Sequence, residues 1–150
     1  FIIACASCFG FLISREVEPA AFVGFFQSLT DQRWLMLLLV TAFILLLGTV
    51  MEGGSIMIIL TPLLMPVMAS YGVDAVHFGV VFQLAIMIGL LTPPVGMLLF
   101  VMAGVSQVPV TKILRDLWPF YLVLTAMTLL IAYVPNLSLF LVDLLGGNIK

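Results

Sequence analysis

The stretch FGVVFQLAIMIGLLTPPVGMLLFVMAGV, Phe78–Val105, is apolar over about 28 residues and is broken in its middle by Thr92-Pro93-Pro94. A helix needs about 20 apolar residues to cross a bilayer, so this run is long enough to span. Neither proline supplies an N–H, and each disfavours helix at the residue before it. Gly89 and Gly96 flank the break and weaken it further. Carbonyls one turn back lose their donors, and bare carbonyls are costly in lipid unless a cation, water or substrate satisfies them. The pattern predicts two half-helices that point at each other across an unwound centre. A proline kink satisfied by neighbouring helices is the alternative.

A second interruption lies upstream. The apolar runs Trp34–Val50 and Ile56–Tyr71 meet at Gly48-Thr49 and Glu52-Gly53-Gly54-Ser55. Glycine lowers helix propensity by about 1 kcal/mol, so glycines clustered around a carboxylate break the helix. Two arrangements fit. Both runs cross the membrane and Glu52 lies in an aqueous loop, or the pair is a re-entrant hairpin with Glu52 at its tip. Pro62 and Pro66 are read as interrupting the second run. Paired Gly/Pro-interrupted segments are the sequence mark of a secondary transporter, whose half-helix ends meet near the bilayer midplane. Half-helix N-termini can face an anionic substrate. Unwound carbonyls and the hydroxyls of Thr49 and Thr92 can hold Na⁺, a hard cation that prefers oxygen.

Working outward, 64% of the 150 residues are hydrophobic and 8% charged, with a mean hydropathy of +1.35. Soluble domains have roughly 45–50% apolar and about 25% charged residues. The composition excludes a soluble enzyme, a nucleic-acid binder and a disordered chain, and the net charge of −2 implies no nucleic-acid partner. Long runs without alternation favour helices over a β-barrel. The solvent is therefore a lipid bilayer.

Phe1–Ile13 reads as the end of a span whose beginning is missing, so the chain is expected to be the C-terminal piece of a longer membrane protein. Cys5 and Cys8 are small apolar fillers; a structural zinc site would need four ligands. Arg15, Glu16, Glu18 and Pro19 mark an exit, and Ala20–Leu29 is a connector or interfacial helix. Gly72-Val73-Asp74 is a turn. A polar link carries Pro109, Lys112, Arg115 and Asp116, and Trp118–Val134 is a last span closed by Pro135. The tail, Asn136–Lys150, has an amphipathic patch around Leu137–Leu145. Trp34, Trp118, Tyr71 and Tyr133 are placed at headgroup level. His77 is placed there too, rather than as a ligand or proton relay.

The block Gly89-Leu90-Leu91-Thr92-Pro93-Pro94-Val95-Gly96, followed by Leu99-Phe100-Val101, resembles the signature of the large membrane subunit of tripartite ATP-independent periplasmic (TRAP) transporters. Gly48-Thr49, Glu52, Thr61-Pro62, Pro66, Gly72-Val73-Asp74, Val76-His77-Phe78-Gly79, Trp118-Pro119-Phe120 and Pro135-Asn136-Leu137-Ser138-Leu139 are similar to that family as well. The likeness covers about residues 34–145; residues 1–33 match in hydropathy alone.

The resemblance implies an all-α integral membrane fold, the second inverted repeat of an elevator-type transporter of the ion-transporter superfamily. Residues 1–33 would be the end of a scaffold span plus a connector. Residues 34–106 would be transport domain, with a re-entrant hairpin at about 34–70 and a broken helix at about 76–106. Residues 107–150 would be the polar link, last transmembrane span and tail. The resemblance further implies Na⁺-coupled import of organic acids, C4-dicarboxylates or sialic acid. A periplasmic solute-binding protein would deliver them, and a small membrane subunit would brace the scaffold. No cofactor besides the coupling Na⁺ and no enzyme activity are expected. The location would be a bacterial or archaeal cytoplasmic (inner) membrane.

Carried onto this chain, the Na⁺ site would be formed by Gly48, Thr49, Gly89, Thr92 and Gly96. The substrate-facing set at the hairpin tip or broken helix would be Glu52, Gly53, Gly54, Ser55, Pro93 and Pro94. Glu52 either caps the following half-helix or touches substrate or ion directly. Lys112 and Arg115, two of five basic residues, favour a cytoplasmic side for the link. With the hairpin entering from the periplasm, segment 15–33 and the tail then lie outside. A stand-alone Na⁺-coupled anion transporter of the same superfamily and a non-transporting membrane anchor are the alternatives. An anchor needs only uninterrupted spans, so the double interruption argues against it. An intramembrane protease would want a paired set such as Ser/His or two aspartates at depth.

Overall fold

A computed structural model describes Cys8 and residues 19–144. The expected end of a span at Phe1–Ile13, the exit at 15–18 and the tip of the tail lie outside the described residues. Of the cysteine pair, Cys8 is described, as an exposed free thiol. Within 19–144 all regular structure is helical: α1 Pro19–Leu29, α2 Arg33–Gly48, α3 Gly53–Ser70, α4 Ala75–Leu91, α5 Met97–Ser106, α6 Val110–Tyr133 and α7 Pro135–Leu144. Among these residues α3 and α6 are long and apolar enough to cross a membrane, while α2, α4 and α5 are shorter apolar helices.

α4 is the axis of the assembly and packs against α2, α3, α5, α6 and α7. Its buried residues, His77, Phe78, Val81, Phe82, Ala85, Ile86, Ile88 and Gly89, recur at three- and four-residue steps, one broad helical face. Met36, Leu37, Val40 and Ile44 of α2 and Ile56, Leu64, Val67 and Met68 of α3 complete the core. Phe78 and Phe82 meet edge to face, with ring centroids 5.5 Å apart. Lipid tails are as apolar as these side chains, so close packing rather than the hydrophobic effect holds such helices together. By contrast, α6 buries only Ile113, Thr128 and Ala132, and α5 only Leu99.

Four local features refine the sequence reading. α3 runs unbroken through Pro62 and Pro66. Each removes one N–H, but they stand four residues apart and Pro66 would have paired with the Pro62 carbonyl, so the two defects share one face and the rest of the ladder survives. α6 begins at Val110, so Lys112, Arg115 and Asp116 lie in its first turns and Trp118 sits two turns in. The third feature is the turn between α3 and α4. Gly72, at φ +69°, donates to the Ala69 carbonyl at 2.9 Å and Val73 to Met68 at 3.0 Å. Asp74 then caps α4, accepting from Val76 N and His77 N. The fourth is a correction. His77 is fully buried and does not face headgroups. The short turn folds the start of α4 under α7, where His77 Nδ1 lies 2.7 Å from Ser138 Oγ.

Candidate functional site at the two helix breaks

The C-terminus of α2 and the C-terminus of α4 cross at two glycines. A Cβ on Gly89 would lie 2.6 Å from the Leu45 carbonyl oxygen and 2.8 Å from Gly48 Cα. A Cβ on Gly48 would in turn lie 3.1 Å from Gly89 Cα. Any side chain at Gly89 would collide with backbone, which cannot rotate away, so only glycine permits this approach. The two backbones are also joined directly: Gly96 N–H, just beyond the prolines, donates to the Thr49 carbonyl at 3.1 Å. Gly96 holds φ +56°, a left-handed conformation that turns the chain from the break into α5.

Each break leaves oxygen atoms without helical donors. At the end of α2, Thr49 N–H turns to the Leu46 carbonyl at 3.2 Å, and the Leu45 carbonyl loses its usual donor and lies against Gly89. At the end of α4, Pro93 and Pro94 offer no N–H to the Gly89 and Leu90 carbonyls. Thr92 N–H shifts to Gly89 at 2.9 Å. Thr49 Oγ1 donates to Leu46 O at 2.8 Å and Thr92 Oγ1 to Ile88 O at 2.6 Å. In both, the proton is used locally and the hydroxyl oxygen keeps its lone pairs. Two helix C-termini, each with a partial negative charge, thus converge with hydroxyl and carbonyl oxygens around them. This donor set suits a hard, oxygen-preferring cation such as Na⁺. Among the described residues no three His, Cys, Asp or Glu side chains form a group that could hold a metal.

The two N-termini that start beyond the breaks differ. Glu52 caps α3, its carboxylate accepting from Gly54 N and Ser55 N, each at 2.8 Å, and from Ser55 Oγ at 3.1 Å. Gly53 is buried beside Ile86 of α4. The α5 N-terminus at Gly96 has no side-chain cap. Pro93 and Pro94 are exposed. The structure therefore brings Gly48, Thr49, Gly89 and Gly96 together, with Thr92 the extended residue that ends α4. It places Glu52, Gly54 and Ser55 in a cap of their own. Tyr121 of α6 escaped the sequence reading; its hydroxyl donates to the Leu91 carbonyl at the break. A phenol inside an apolar span must find an acceptor, and that signal was available.

The family described as "Tripartite ATP-independent periplasmic transporter, DctM component" matches residues 1–137. The chain belongs to this family. Relatives include the sialic acid TRAP transporter large permease protein SiaM of Vibrio cholerae, 37% identical over 139 residues, which are 93% of this chain and 33% of that protein. The C4-dicarboxylate TRAP transporter large permease protein DctM of Rhodobacter capsulatus is 36% identical over 146 residues, 97% of this chain and 33% of its own. The 2,3-diketo-L-gulonate TRAP transporter large permease protein YiaN of Escherichia coli is 34% identical over 137 residues, 91% of this chain and 32% of its own. The chain spans about a third of the length of these TRAP permeases. Its likeness to TRAP large subunits, read from the Thr-Pro-Pro-Val-Gly block, is therefore shown.

Proposed function

We propose that this chain supplies the C-terminal half-site of a Na⁺-coupled TRAP permease that imports organic acids by an elevator motion. The observation that carries the reading is the backbone crossing of Gly48 on Gly89, closed by the Gly96–Thr49 hydrogen bond. It sets two negative helix ends and their freed oxygens side by side, where a cation relieves both. Residues Gly48, Thr49, Gly89, Thr92 and Gly96 surround that position, with Leu90 O as a further oxygen. In this reading α2 and α3 form the re-entrant hairpin and α4 with α5 the broken helix.

The substrate carboxylate belongs at the uncapped N-terminus of α5, because Glu52 already satisfies the N-terminus of α3. A cation seated at the C-termini would then lie beside the anion, and each favours binding of the other, which is the basis of coupling. Sialic acid, C4-dicarboxylates and 2,3-diketo-L-gulonate, named for the relatives, all carry carboxylates. The remaining substrate groups would come from the other repeat. A periplasmic solute-binding protein and a small membrane subunit are the proposed partners, and a bacterial or archaeal inner membrane the proposed location.

The test is uptake of those acids by the full-length permease with its small subunit in proteoliposomes. Purified binding protein is added outside, with and without an inward Na⁺ gradient. Uptake that needs both Na⁺ and the binding protein is expected. Uptake with Na⁺ but no binding protein would move the chain to a stand-alone transporter, and no uptake by folded protein would favour an anchor.

A further inference from the structure

We infer that Tyr121 is a positioning residue for the cation site, selecting which carbonyl of the broken helix is left to face the ion. The inference rests on the proposed cation site and deepens it. Four carbonyls lose their helical N–H donors at the break: Ile88 because Thr92 N–H shifts, Gly89 to Pro93, Leu90 to Pro94, and Leu91 because Val95 lies outside the helix. Ile88 is taken by the Thr92 hydroxyl at 2.6 Å, Gly89 by Thr92 N–H at 2.9 Å, and Leu91 by the Tyr121 hydroxyl across 30 residues of chain. Leu90 O receives no donor among the described residues, since the residues three and four beyond it are both prolines. Tyr121 thus closes one of two otherwise equivalent carbonyls.

The same bond ties α6 to the break. α6 buries few residues, and its Thr128 hydroxyl donates back to Leu124 of its own helix at 2.8 Å, so it ties α6 to nothing else. Tyr121, Thr92, Pro93 and Trp118 line one cavity of about 500 Å³ between α6 and the break. Without the hydroxyl, Leu91 O would be left bare beside it. The unwound turn could then rotate either carbonyl toward the ion, and Na⁺ would have to fix that choice on binding.

The experiment titrates NaCl, at ionic strength held constant with choline chloride, against the melting temperature of the full-length permease with its small subunit. Amide exchange across 89–97 is followed in parallel. Wild type should be stabilised saturably by Na⁺. In Tyr121→Phe the Na⁺ midpoint should rise roughly five- to tenfold, the weight of one hydrogen bond. Exchange at Thr92 and Gly96 without Na⁺ should become faster, while Tyr133→Phe, on the same helix, should change neither. A Tyr121→Phe midpoint equal to wild type overturns the inference, as does a lower melting temperature with the midpoint unchanged. Absence of Na⁺-specific stabilisation in wild type would instead sink the cation site itself.

Discussion

The two breaks solve one problem in opposite ways. At the turn of residues 48–55 the N-terminus of α3 is closed locally: Glu52 caps it, accepting from two backbone N–H groups and a hydroxyl of the next three residues. Around the broken helix, residues 89–97, adjacent prolines remove two consecutive donors, and the local chain replaces one of them, through Thr92 N–H on the Gly89 carbonyl. The rest of the closure is borrowed: Tyr121 comes from α6, the Thr49 carbonyl from the hairpin tip, and Gly48 supplies the surface against which Gly89 rests. A self-sufficient turn tolerates change, whereas a turn completed by distant elements transmits it. The broken helix is therefore the part that can sense whether the hairpin and α6 are in place.

Gly89→Ala should break this comparison most severely. Its Cβ would sit 2.6 Å from the Leu45 carbonyl, and overpacking of this kind costs about 1–3 kcal/mol. Uptake should be lost and the melting temperature lowered, while Gly79→Ala, on an open face of the same helix, should be silent in both assays. Gly96→Ala should come next. A left-handed non-glycine residue costs about 1–2 kcal/mol, and its Cβ would meet Leu99 Cδ1 at 2.8 Å. Reduced uptake with faster amide exchange at 94–98 is the expected result. Glu52→Gln should have the smallest effect, because its one amide oxygen still accepts from a backbone N–H of the next three residues and the cap takes no partner from another helix. Na⁺ half-saturation of uptake should stay within about twofold of wild type, as for a cap change made away from the ion. A large rise would show that Glu52 touches ion or substrate and that the two breaks are not so different.

How much of this was legible in the sequence follows from the range of each interaction. Local signals read directly: consecutive prolines gave the break after Leu91, and glycines around Glu52 gave the turn between α2 and α3. The isolated pair Pro62 and Pro66 misled because spaced prolines on one face leave most of the helical ladder intact. The family resemblance puts Gly48 and Gly89 in one Na⁺ set, but their backbone contact joins residues 41 positions apart, and periodicity carries no such pairing. Tyr121 and Leu91 escaped for the same reason. His77 was assigned to the headgroups from its place at a run start, whereas α7, short and mildly amphipathic, folds over it and supplies Ser138.

The central claim is that both breaks contribute oxygen to one cation, and a double-mutant cycle tests it most directly. Na⁺ half-saturation of uptake would be measured for the full-length permease as wild type, Thr49→Ala, Thr92→Ala and the double variant. A shared site predicts that each single change raises half-saturation about tenfold and that the double variant falls well short of the product. Shifts that multiply, or uptake indifferent to Na⁺ in all four proteins, would contradict it.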